Sequence, residues 1–151
     1  MRHWLVKSEA GVYSIDDLER DGKTLWDGVR NFRARNYMRE MAVGDLVLFY
    51  HSSQEPPAVV GIARVAREAY PDPTQFDPTS EYHDPKSDED APRWWLVDLA
   101  FSAKLPRPVT LPEIKEEPSL RDMVLVRNAR LSVQPVTAAE FEAVRKMGGS
   151  R

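Results

Sequence analysis

The chain has 151 residues, 42% of them hydrophobic, a formal charge of -3 and no cysteine. That length fits one domain, able to bury about 70% of the surface its unfolded form exposes. With 21 Lys plus Arg against 24 Asp plus Glu, it is not a protein that grips nucleic acid by bulk charge. Lacking cysteine, it has no disulfide, thiolate zinc site or cysteine nucleophile, which fits a cytoplasmic location. Charged Lys7 and Glu9 follow Met1 too closely for a signal peptide, and no apolar run approaches the roughly 20 residues of a membrane helix. The cations are 15 Arg against 6 Lys, which reflects either planar, bidentate recognition or the codon usage of a GC-rich genome.

In chain order, Arg2 to Lys7 reads as a strand with Trp4 and Val6 on one face. Ser14 caps a helix with Asp16 and Asp17 in its first turn, ending near Asp21-Gly22. Thr24 to Gly28 is a short extended piece closing in a turn. Asn31 caps a second helix to about Met41, whose Ala34, Tyr37, Met38 and Met41 follow i, i+3, i+4, i+7. Strands follow at Leu46 to His51, at Ala58 to Ala69 with Gly61 marking a bulge or close approach, at Arg93 to Leu105, and at Leu131 to Val136. In the last, Ser132 and Gln134 are expected to point outward. Thr110-x-x-Glu113 and Thr137-x-x-Glu140 are capping boxes opening two more helices. Strands outnumber helices and do not alternate with them, which indicates α+β, a small mixed or antiparallel barrel or sheet with peripheral helices. One domain is expected over 1–147, with a short tail at 148–151.

Tyr70 to Pro92 is the exceptional segment: five prolines with Tyr70, Phe76 and Tyr82 among them. Structureless segments this long are uncommon in compact domains and tend to be functional. It is either an ordered lid or a brace, with Asp84 to Asp90 as a solvated tip.

No enzyme signature appears. His3, His51 and His83 lack metal-ligand spacing, and there is no phosphate-cradling Gly-rich loop and no Gly-x-Ser-x-Gly. The informative run is Trp26 to Asn36, which with Arg39 holds four arginines within ten residues: Arg30, Arg33, Arg35 and Arg39. A ring, a glycine turn and an Arg-Asn pair at a helix N-terminus can read a base and hold a phosphate. Equally, Trp26 can be core, Asn31 only a cap and the arginines a solvated face. Lys7-Ser8-Glu9 at the end of the first strand, and Ser132 with Gln134, are further polar groups that can serve either a ligand or the fold.

Several stretches occur in one order: Trp4-Leu5-Val6-Lys7-Ser8-Glu9, Trp26-Asp27-Gly28-Val29-Arg30-Asn31 with Ala34-Arg35-Asn36, and Val43-Gly44-Asp45 through to Phe49-Tyr50-His51-Ser52. Gly61-Ile62-Ala63, Tyr70 to Pro78 and Leu131 to Val136 follow. On these the chain resembles the EVE-domain family of the PUA-like superfamily. The resemblance implies a small PUA-like β-barrel of mostly antiparallel strands with peripheral helices. It implies a pocket related to those of YTH and ASCH domains, reading a modified, cytosine-type base that is flipped or single-stranded, in DNA or RNA. The chain is expected to be a non-catalytic monomer with no cofactor, no metal and no membrane partner. Carried over, Trp26 is the stacking wall, Lys7 and Ser8 the mouth, Arg30 and Asn31 polar contacts, and Ser132 and Gln134 a second tier. Arg33, Arg35 and Arg39 are the expected phosphate contacts. Where the family often has Pro after Lys-Ser-Glu, this chain has Ala10, implying a looser turn. Flipping costs a few kcal/mol and stacking returns about 1–3 kcal/mol per base, so such a reader need not be basic. Two other readings stay open: an enzyme acting on a nucleotide or small molecule in the same pocket, and a protein-interaction module built on the Tyr70 to Pro92 loop.

Overall fold

The computed structural model describes residues 1–149, so Ser150 and Arg151 of the expected tail lie outside the described residues. Six strands form one sheet in the order β2-β5-β4-β3-β1-β6: β1 (His3–Ser8), β2 (Lys23–Leu25), β3 (Leu46–His51), β4 (Ala58–Pro71), β5 (Trp95–Thr110) and β6 (Val133–Val136). β1 and β3 pair in parallel and the other neighbours antiparallel, so the fold is α+β on a mixed, open sheet. The expected closed, mostly antiparallel barrel is corrected. The parallel pair arises because a long crossover, residues 9–45, separates the two strands. Closure fails because the edge strands β2 and β6 are only three and four residues long, and Pro135 takes a ladder donor out of β6.

Helices cover both faces. α1 (Ile15–Asp21) and α2 (Phe32–Glu40) bury Ile15, Leu18, Ala34 and Met38 against Trp4, Val6, Val47 and Phe49. On the other face α3 (Leu111–Glu116), α4 (Val124–Arg127) and α5 (Ala138–Met147) bring Ile114, Leu125, Phe141 and Val144 onto Leu5, Leu48 and Tyr50. Burial on both faces is why β3 reads as an unbroken apolar run. It also corrects the expectation for Gln134, which pairs with Leu5 and so faces the second core, fully buried. Its Nε2 donates to the Leu131 carbonyl at 2.8 Å, closing the turn into β6.

The expected caps form. Ser14, Thr110 and Thr137 each make a capping box, and Asn31 accepts from the Ala34 amide. Gly61 sits at a register shift in β4, where a Cβ would lie 2.5 Å from the Ile15 side chain, so only glycine lets α1 approach the sheet. Gly148 is buried and caps α5, so the body extends into the expected tail.

Buried Asp45 ties the start of β1 to that of β3. It accepts hydrogen bonds from the Trp4 indole, the Arg2 amide and the Ala42 amide, each at 3.0 Å. Burial alone would raise its carboxyl; the donors outweigh that and hold it below its ordinary value. Its stabilising effect is therefore present above the ordinary carboxylate range and lost as pH falls through the lowered folded value. Asp45→Asn, which turns an NH2 toward these donors, is expected to cost about 2 kcal/mol at pH 7. Urea unfolding checks this: the deficit should shrink in acid, and a constant deficit would refute the assignment.

Candidate functional site

A cavity of about 870 Å³ opens at the C-terminal end of β1. Lys7, Ser8 and Glu9 form one side, with Tyr13 from the turn that follows. Residues 24–31, running from β2 to the cap of α2, form the opposite wall; Glu81, Tyr82 and Ser132 complete the rim. The size is that of a pocket able to take a small molecule or a nucleobase.

Trp26 is half-buried in this wall. Its ring meets Phe49 edge-on, centroids 5.5 Å apart, and Tyr13 at 6.5 Å. Its amide donates to the Val97 carbonyl at 2.9 Å, extending the β2–β5 pairing. The ring is thus seated on the core and also lines the cavity.

The wall is held by the Tyr70 to Pro92 loop. Arg30 donates through Nε and Nη2 to the Tyr82 carbonyl, through Nη1 to the Val29 carbonyl and to Asp72, and through Nη2 to Thr74 Oγ1. Those five bonds use all five guanidinium N–H groups. Asp72, fully buried, also accepts from the Gly28 amide at 2.9 Å and from the amide and hydroxyl of Thr74. Burial would raise this carboxyl; donation by Thr74, Gly28 and Arg30 holds it below its ordinary value. Buried Gln75 binds the amides and carbonyl of the Arg93-Trp94 stretch. Asp84, expected in the solvated tip, instead accepts from the Trp94 indole at 2.7 Å and from Arg93; Asp88, Glu89 and Asp90 are exposed. The loop is a brace whose Glu81-Tyr82 segment also reaches the cavity.

Of the residues expected at the ligand, Trp26, Lys7, Ser8, Arg30, Asn31 and Ser132 line the cavity and Gln134 does not. Several are already committed to the protein. Arg30 has no free donor. Ser8 donates its proton to the Tyr13 carbonyl at 2.5 Å. The Lys7 ammonium donates to the Ala129 carbonyl, and burial lowers its pKa. Asn31 accepts from the Ala34 amide at 2.9 Å, which leaves its amide NH2 available. Arg33, Arg35 and Arg39 lie on α2 outside the cavity lining, stacked on Tyr37, Phe32 and Trp95 respectively, and none has an acidic partner among the described residues. Ala10 donates its amide to Ser53 Oγ at 3.1 Å, a tie that proline in its place would lack.

Sequence reasoning missed Tyr82 and Asp27. Asp27 is open to solvent in the concave wall; crowding by protein, then the Asp72 charge, raises its carboxyl above its ordinary value. Its place between Trp26 and Gly28 was the available signal. His51, buried, accepts from the Ile15 amide through Nε2 and so donates from Nδ1 to Gln54 Oε1, a neutral tautomer serving the start of α1. Among the described residues no cluster of His, Asp or Glu is placed to hold a metal ion.

The EVE domain sequence profile matches residues 2–147. The chain belongs to the EVE domain family. Human thymocyte nuclear protein 1 is 42% identical over 161 residues, covering 94% of this chain and 72% of that protein. The structure of the human THYN1 protein in complex with 5-methylcytosine containing DNA superposes with a TM-score of 0.92 at 39% identity, covering 100% of this chain and 99% of that one. The YTH domain of Zygosaccharomyces rouxii MRB1, 15% identical with a TM-score of 0.55 over 97% of this chain and 86% of that one, shares the fold.

In this EVE domain Gly28 has φ of 77°, and a Cβ there would lie 2.6 Å from the Tyr82 ring. Gly28→Ala is expected to cost about 2–5 kcal/mol by combining left-handed strain with displacement of Tyr82. Chemical denaturation measures it; a loss below about 1 kcal/mol would show that Tyr82 yields freely and does not hold the wall.

Proposed function

We propose that this EVE domain binds nucleic acid carrying a modified base and takes that base, flipped out or single-stranded, into the cavity beside Trp26. The observation that carries the reading is Trp26 itself: an aromatic ring anchored on the core by Phe49 and Tyr13 while lining a cavity of nucleobase size. Such a ring is pre-positioned and gives up little freedom when a base stacks on it. The relative whose structure holds 5-methylcytosine containing DNA supports DNA, and a modified cytosine, as the partner.

The surroundings suit a neutral heterocycle. The Asn31 amide can donate, and Ser132 Oγ has no protein partner among the described residues. Phosphates stay outside the cavity, beside the α2 arginines, of which Arg35 already donates to the Asn36 side chain and the Arg93 carbonyl. Arg35 is lowered from its ordinary pKa by burial and then by the charges of Arg39 and Arg93, a cluster of positive charge that a backbone phosphate would relieve. A binding role without catalysis is supported by the commitments of the polar groups at the cavity mouth: Ser8 and Lys7 spend protons on backbone carbonyls.

Trp26→Ala is expected to weaken binding to a 5-methylcytosine oligonucleotide at least about tenfold, the equivalent of one lost stacking contact. Fluorescence anisotropy reads this, with circular dichroism verifying that the variant is folded. Unchanged affinity in a folded variant, or equal affinity of the native protein for modified and unmodified oligonucleotides, would overturn the proposal.

A further inference from the structure

We propose that Asp27 is the base-selecting group of the cavity. Its carboxylate takes a hydrogen bond from an exocyclic amino group, so the site accepts an amino-bearing ring such as cytosine and rejects the keto counterpart, thymine or uracil. The inference rests on the base-binding reading above and names the edge of the base that is read.

Asp27 has no ion-pair partner among the described residues. It follows Trp26 in the same wall, and no other residue donates a side-chain or backbone hydrogen bond to its carboxylate among the described residues. The cation nearest in sequence, Arg30, has spent every N–H on Asp72, Tyr82, Thr74 and Val29. The other cation lining the cavity, Lys7, donates to the Ala129 carbonyl, with its ammonium 5.8 Å from the centre of the Tyr50 ring. The charges acting on Asp27 are otherwise acidic: Asp72 behind it and Glu81 on the rim, with Glu9 elsewhere on the lining. Crowding and then the Asp72 charge raise the Asp27 carboxyl, and its own backbone amide is the one donor that opposes them.

With Asp72 and Glu81 as the acidic charges acting on it and Arg30 already spent on protein acceptors, Asp27 disfavours phosphate beside it and attracts N–H. Carboxylates accept from the N4 amino group of cytosine. A thymine in the same position would turn its O4 lone pairs toward the carboxylate, leaving both groups desolvated and unpaired. Sites built to hydrogen-bond a substrate group discriminate strongly against the analogue lacking it. 5-Methylcytosine and thymine carry the same methyl group and differ at position 4, amino against keto, with the accompanying change at N3. They are therefore a near-isosteric pair that tests this edge.

The test measures, by competition anisotropy, the affinities of the native protein and Asp27→Asn for two single-stranded oligonucleotides identical except for one 5-methylcytosine or one thymine. The native protein is expected to prefer 5-methylcytosine at least about tenfold. Asn can turn its NH2 toward O4, so Asp27→Asn should bring the two affinities within about threefold of each other. The thermal midpoint of Asp27→Asn should equal or exceed the native one, since a charge facing Asp72 and Glu81 is removed. A merely structural role would lower the midpoint and leave the ratio unchanged. If the native preference persists in the variant, or the native protein binds both oligonucleotides equally, Asp27 is not the selector. If the native protein binds both equally but Trp26→Ala still abolishes binding, the base-reading cavity survives without Asp27. If Trp26→Ala changes nothing, the cavity reading itself fails.

Discussion

The Arg30–Asp72 pair is the interaction on which the cavity depends. It joins residues 26–31, which carry the aromatic wall, to a loop whose Asp72 lies 42 positions beyond Arg30. Every donor of the guanidinium and several acceptor positions of the carboxylate are filled, so the pair fixes a geometry as well as a charge balance. Buried ion pairs of this kind add little net stability over an apolar replacement, because desolvation offsets attraction; their effect is to exclude other arrangements. Here the excluded arrangements are those in which Trp26 swings and Gly28 leaves the Tyr82 ring. Pre-organisation of the cavity therefore resides largely in a contact within the protein itself.

This clamp also explains how a protein of net charge -3 can suit a polyanion. Arg30 is neutralised internally, and the cavity lining keeps the acids Glu9, Asp27 and Glu81. Arg33, Arg35 and Arg39 stand outside it on α2 without acidic partners among the described residues. Charge is thus sorted by position: acceptors where a base edge would enter, cations where a backbone would pass. On the proposed function, few phosphate contacts would mean weak sequence-independent affinity and leave discrimination to the cavity.

The sheet supplies the rigidity behind this arrangement. Because helices cover both faces, β1 and β3 are central and apolar, and the end of β1 delivers Lys7 and Ser8 to a fixed place. Asp45 performs at the other end of β1 what Asp72 performs at the cavity. Each is a buried carboxylate that gathers backbone and side-chain N–H groups and anchors segments distant in sequence.

What the sequence by itself determined was local. The capping boxes at Ser14, Thr110 and Thr137, the Asn31 cap, the strand at Leu46–His51 and the close approach at Gly61 follow from neighbouring residues and periodicity, and the structure contains each. The resemblance in the Trp26 to Asn31 stretch located the cavity for the same reason: one continuous segment carries most of a wall. Only tertiary structure decided the rest. Gln134 turned inward because a helical layer formed from residues 111–147 lies over its face of β6. Arg30 passed from ligand contact to clamp because its acceptors come from Asp72, Thr74 and Tyr82, whose distance from it along the chain hides the pairing. The sheet stayed open because its edge strands are too short to meet, a property of where the chain ends up and not of any one strand. Periodicity and capping act over a few residues, whereas saturation of a guanidinium and burial of an amide depend on which distant segment arrives beside them.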